Sequence, residues 1–342
     1  MTENYLLIAQ ADQPKLVLLD TNTLEVADEF DVQGRIAVLG CSSDSQHGFA
    51  IHRDDDCVSI ISLKPDIMIG TISTDKQPTH FHAHAGQSVV FNDGDGVVTI
   101  FDEAKLPQFS RHKVTQPDHG SAMLIGDYML VGYLRMGAIE IYRRGSFRPF
   151  QTYDCCPMLH GATQVDNTAL FGCSDGVLML KLHENYFKMT KIDNPPDTPT
   201  RVRVGIFSTH HATMHVLGNF GQGIVVINTD EGTMQVISLT ESPLKFSFDT
   251  TGQSILALTA DGNLSRLSLS GDLHYQMNIS DAVSPPKGPD KKARPTYTVG
   301  TNTIYVIDPE KQILSEINQD DLSIKRQVAL DFKPSAIVRI GG

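Results

Sequence analysis

The feature that most constrains this chain is a repeat of about forty residues. Short apolar segments such as "YLLIAQA", "KLVLLD", "GFAIHR", "CVSIISL", "SVVFND", "VVTIFD", "YMLVGY", "AIEIYR", "TALFGC" and "VLMLKL" follow one another between Gly, Asp and Asn turns. They carry strand-like alternation and no helical period. Units begin near Gly34, Gln77, Pro117, Cys156, Thr200, Ser242, Arg294 and Phe332. A spacing of about forty residues with four strands per unit is that of propeller blades. The last unit, "FKPSAIVRIGG", holds only an inner strand, whereas "NYLLIAQADQPKLVLLDTNTLEVADEFDV" holds three strands without one. The two ends are therefore expected to complete one blade together, which removes exposed sheet edges. The expected fold is all-β, a single β-propeller domain over residues 1–342. Eight blades are counted, with seven as the alternative if one weak unit is an insertion.

Composition narrows the function. The 342 residues contain 28 Lys and Arg against 40 Asp and Glu, a formal net charge of -12. That balance opposes non-specific binding to nucleic acid or an anionic membrane and suits a cationic ligand. No apolar run is long enough to span a bilayer, so no membrane insertion is expected. "MTENYLLIAQADQ" has no leader pattern and reads as a cytosolic start, although a mature exported chain would read identically. Five cysteines, an odd number, do not make a disulfide framework. "SDAVSPPKGPDKKARP", Ser280–Pro295, interrupts the repeat and reads as a mobile surface loop. The chain has neither G-x-S-x-G nor a phosphate loop.

Histidine placement carries the strongest chemical signal. In three consecutive units a histidine follows the proline that leads into the inner strand: Pro78 then His80, Pro117 then His119, Pro157 then His160. The intervals are 39 and 41 residues. In a propeller this is the start of the innermost strand, so three neighbouring blades would aim imidazoles at one region of the channel mouth. Three neutral imidazoles make a good tetrahedral Zn2+ site, with Asp118 as fourth ligand or as orienter of an imidazole N–H. The competing reading is that each histidine merely bonds backbone at a crowded mouth.

In "THFHAHAGQ", His80, His82 and His84 are expected on one strand face, with the outer two roughly 13 Å apart, so all three do not easily share one ion and one end of the trio, or an adjacent pair, is the expected contributor to a metal site. His210, His211 and His215 in "STHHATMHVLG" read as a solvated turn between the first two strands of a blade. His47, His52, His112, His183 and His274 show no mutual spacing and read as structural. "FNDGDGVVTIFD" resembles the start of a calcium loop but lacks its downstream glutamate, and Asn-Asp-Gly-Asp-Gly between strands suits a hairpin turn. Cys156 and Cys173, read at the beginnings of neighbouring strands, are either a bridge in an oxidising compartment or a pair of buried thiols.

The segments "HFHAHAG...VVFNDGDGVVTIFD", "PDHGSAMLIGDYMLVGY", "CPMLHGATQVDNTALFGCSDGVLML" and "HVLGNFGQGIVVI", with "RPTYTVGTNTIYVIDPEKQILSEIN", resemble in order those of the AztD-type zinc metallochaperones. The resemblance runs from about Gln77 to the end. It implies a periplasmic, non-enzymatic β-propeller that binds zinc and passes it to the solute-binding protein of a zinc ABC transporter; a monomer is expected. It also implies His80, His84, His119 and His160 as metal residues and Cys156 with Cys173 as a disulfide. The chain departs from the pattern at Asp118, where a second histidine is expected, and at Lys245. The alternatives are a metal-dependent propeller hydrolase or lactonase, and a protein-interaction propeller.

Overall fold

A computed structural model describes residues 4–63, 67–284 and 292–341. Residues 285–291 of the Pro- and Lys-rich stretch lie outside the described residues. The chain forms eight four-stranded antiparallel sheets, an eight-bladed β-propeller. Seven blades take their strands consecutively. Blade 1 runs from Val38–Cys41 to Met68–Ser73, blade 2 from Pro78–His84 to Phe109–Lys113, and blade 3 from Gly120–Ile125 to Gln151–Tyr153. Blade 4 runs from Ala162–Val165 to Tyr186–Asp193, blade 5 from Phe207–Ser208 to Thr233–Ser238. Blade 6 runs from Pro243–Phe248 to Leu273–Asn278, and blade 7 from Thr296–Gly300 to Ile324–Ala329. In blade 8 the C-terminal strand Pro334–Gly341 pairs with Asn4–Gln10, and Lys15–Asp20 and Val26–Asp31 complete the sheet. The chain ends thus share a blade, as the unequal end units imply.

By packing, the chain divides into two compact units, Met1–Arg111 with Met277–Gly342, and His112–Gln276. Within each unit the core lies between consecutive blades. Phe49, Ile51 and Val58 of blade 1 pack with Val90 and Phe101 of blade 2. In the other unit Leu130, Ile139 and Ile141 of blade 3 pack with Ala169, Phe171 and Leu178 of blade 4. A middle strand is covered on both faces, so segments such as Tyr128–Tyr133 and Ser254–Thr259 are buried at every residue. They read as continuous apolar runs, and the clean alternation expected for them is absent. Outer strands keep polar faces, as in "IKRQVA" of Ile324–Ala329.

The "NDGDG" segment is the hairpin turn between Gln87–Asn92 and Val97–Asp102. Its carboxylates hold the protein itself, Asp93 pairing with Arg53 at 2.8 Å and Asp95 accepting from the Lys76 amide at 3.0 Å.

Candidate functional site

The site forms around the starts of two inner strands, in blades 3 and 4 of the His112–Gln276 unit. His119 immediately precedes Gly120–Ile125, and His160 lies two residues before Ala162–Val165. Their ring centroids are 5.5 Å apart with planes inclined at 33°. Both residues are half-buried.

Asp118 is buried and turned to backbone. Its Oδ1 accepts from the amide of His119 at 2.7 Å, and its Oδ2 from the amides of Arg135 at 2.9 Å and Met136 at 3.3 Å. The exposed Arg135 guanidinium adds a loose ion pair at 3.5 Å. A carboxylate so engaged ties the start of the inner strand to the next hairpin, and it fixes where His119 emerges. It is not arranged as a ligand beside the imidazoles.

His160 is held by close backbone approach. Its amide donates to Gly172 O at 2.9 Å, and its Nδ1 lies 3.3 Å from Gly205 O. A carbonyl only accepts, so Nδ1 carries the proton and Nε2 the lone pair, the tautomer a metal needs. Glycine makes this packing attainable. Gly161 has φ +78°, and a Cβ there would sit 2.3 Å from Gly205 O. Asn219 secures the accepting loop, its Oδ1 taking the amides of Gly205 at 2.9 Å and Ile206 at 2.7 Å. Burial pushes the His160 pKa below the ordinary imidazole value; nearby Arg203 and His119 add to this, and the Gly205 carbonyl opposes it. The shift favours the neutral imidazole, the form that can act as a ligand. Gly205 and Asn219 were not singled out as site residues by sequence reasoning. The only signal for Asn219 is its place in the "GNFG" stretch.

The alternating trio is arranged otherwise. A register shift between Pro78 and Phe81 puts an irregularity in the inner strand of blade 2, so strict alternation holds only from Phe81 onward. His82 and His84 share a face, opposite Val89 and Gln87, while His80 sits at the irregularity. Phe81 packs on Phe49 of blade 1 at 4.9 Å. His82 is partly accessible as a residue, yet its Nε2 is closed off from solvent and has no hydrogen-bond partner. Burial drives its pKa down to about 4. His84 ends the strand at a two-residue turn, Ala85 and Gly86, both with positive φ.

His210 and His211 stack at 4.4 Å in the turn between the first two strands of blade 5, and His211 is exposed. The second strand begins only at His215, so His211 and His215 do not share a strand face. Among the described residues no group of three or more His, Cys, Asp or Glu side chains is arranged to hold a metal ion.

Cys156 and Cys173 form a disulfide. Cys156 precedes the inner strand of blade 4 and Cys173 ends the second strand, Thr168–Cys173. In an antiparallel pair the start of one strand faces the end of the next, so the expectation of two strand beginnings was misplaced by one strand length. The bridge anchors the loop that carries His160.

No protein-family profile matches the chain. It is similar to the zinc chaperone AztD of Citrobacter koseri, with 24% identity over 337 residues, 92% of this chain and 76% of the relative. The crystal structure of apo AztD from Citrobacter koseri matches it with a TM-score of 0.87 at 21% identity, covering 100% of this chain and 99% of that one. A further Citrobacter koseri AztD structure gives 0.89 with the same identity and coverage. The dihydro-heme d1 dehydrogenase NirN matches at 0.69 with 10% identity, over 98% of this chain and 74% of its own. These structural likenesses establish the fold. Among the described residues no helix is long and apolar enough to cross a membrane.

Proposed function

We propose that this protein is a zinc-binding metallochaperone, with His119 and His160 as the nucleus of its site and Zn2+ as cargo. The observation that carries the reading is the approach of these two imidazoles to 5.5 Å at equivalent positions of consecutive blades. Two imidazoles leave two positions of a tetrahedral ion for water or for groups of a recipient. Such an ion is exchanged ligand by ligand, as transfer without catalysis requires. The net charge of -12 favours capture of a cation. The similarity to a zinc chaperone supports the same cargo. By that resemblance the recipient is the solute-binding protein of a zinc ABC transporter. The Cys156–Cys173 disulfide suits the oxidising periplasm.

The test is a competition titration with a chromophoric zinc chelator at neutral pH. His119→Ala and His160→Ala should each weaken zinc binding by about tenfold or more, and the double variant should abolish it. A double variant with wild-type affinity would refute the assignment. Transfer is tested by mixing zinc-loaded protein with the zinc-free recipient. Delivery should outpace release to a chelator of matched affinity.

A further inference from the structure

A second site stands out in the other unit, in a cleft of about 500 Å3 between blades 1 and 2. One wall is apolar, built from Ile60, Ile69 and Leu106. The lining also includes Asp44, His47 and Glu103. A volume of this size, apolar with a few polar groups, is that of a small-molecule site.

Its charge is one-sided. Glu103 is only 5% exposed. Its carboxylate accepts from the Ser43 amide at 3.1 Å, the Ser43 hydroxyl at 2.6 Å and the Ser88 hydroxyl at 2.7 Å. These are neutral donors, and among the described residues no lysine or arginine pairs with Glu103. Buried carboxylates are ordinarily paired with a cation. Asp44, exposed at the edge of the cleft, makes its bonds to Ser42 Oγ and the Gln46 amide through Oδ1 alone. His47 Nδ1 lies 2.9 Å from Ser62 Oγ. Burial pushes the His47 pKa down against the pull of both carboxylates, so the imidazole adds no positive charge near neutral pH. Among the described residues that line it, the cleft thus combines apolar side chains with two carboxylates and no lysine or arginine. The three groups are not arranged to hold a metal ion.

We propose that this cleft binds a small organic amine as its ammonium ion, the charged nitrogen beside Asp44 and Glu103 and the apolar body against Ile60, Ile69 and Leu106. The charge selects the ammonium over a neutral isostere, and the wall selects an amine with a hydrocarbon body.

Gly70, which lines the cleft, offers a test that leaves the charges alone. A Cβ there would meet nothing within 4 Å, so Gly70→Leu fills space without displacing backbone. Phenethylamine and cyclohexylamine are titrated calorimetrically into the whole zinc-free protein with EDTA present, with 2-phenylethanol as the neutral isostere of the first. Saturable amine binding is expected, tighter than the alcohol by about tenfold. Gly70→Leu and Asp44→Asn, each confirmed to melt like wild type, should weaken it by about fivefold or more. Glu103→Gln turns an amide N–H2 toward serine donors and is expected to disturb folding, so the two surface variants carry the test. Failure of both amines to saturate, equal binding of amine and alcohol, or full affinity in Gly70→Leu overturns the proposal. Because the measurement excludes zinc, its outcome is independent of the chaperone reading.

Discussion

Gly161→Ala should uncouple the backbone around His160 from the rest of the fold. The new Cβ would lie 2.3 Å from Gly205 O and 2.6 Å from Gly205 C. Ordinary carbon contacts begin near 3.4 Å, so the peptide must retreat by about 1 Å. That carbonyl is the partner of His160 Nδ1, already at 3.3 Å, and an added ångström ends the bond. The retreat also pulls against Asn219, which holds the amides of Gly205 and Ile206. An alanine at φ +78° costs about 1 kcal/mol, and each strained hydrogen bond about 1 kcal/mol more, for a loss of about 2–4 kcal/mol in all. Urea denaturation of zinc-free protein measures it. With its imidazole no longer oriented, His160 should also lose roughly tenfold in zinc affinity, read by chelator competition. Gly145→Ala is the control: its φ is also +78°, but its Cβ would meet nothing within 4 Å. It should share the backbone penalty and keep wild-type zinc affinity. If both variants bind zinc equally well, the proposed orienting role of the Gly205 carbonyl is wrong.

Three further outcomes follow from the packing. Reducing the disulfide, or Cys156→Ser with Cys173→Ser, reopens a loop of sequence separation 17 and should cost about 3 kcal/mol, seen as a lower melting temperature. Tyr142→Phe removes a donor to buried Glu140, shared with Tyr133, and the acceptor of the Thr115 amide; a loss of about 1–3 kcal/mol is expected in denaturant titrations. His82 has a folded pKa near 4, below the ordinary 6.5, so the unfolded chain binds its proton more readily between these values. Stability present above pH 6.5 is therefore lost as pH falls toward 4, by at most about 3 kcal/mol. His82→Phe should flatten that part of the pH–stability curve, and an unchanged slope would show that His82 is not its source.

Much of the architecture is legible in the chain because a propeller repeats one supersecondary unit. The blades write their turns, and often a proline before the inner strand, again at nearly constant spacing, and the mismatch between the first and last units announces that the ends share a sheet. The positions of His119 and His160 follow from the same periodicity. The spacing of 41 residues identifies equivalent places, and equivalent places on consecutive blades are neighbours. The details of "THFHAHAGQ" were less legible, because a strand irregularity before Phe81 depends on pairing with the next strand. The run of three histidines is conspicuous in sequence, yet it leaves His82 with a buried, unpartnered nitrogen.

By itself, then, the sequence determined the all-β repeat, the shared terminal blade and which histidines occupy equivalent places, since these depend on local pattern and period. Only the tertiary structure decided what each side chain faces. Asp118 is spent on the amides of His119, Arg135 and Met136, the last two belonging to the hairpin between the second and third strands of the same blade. Gly205 and Asn219, 45 and 59 residues beyond His160, orient its ring. Glu103 meets Ser43 across 60 residues to line a charged cleft. Hydrogen bonds and burial act over a few ångströms of space regardless of chain separation, so no local pattern records them.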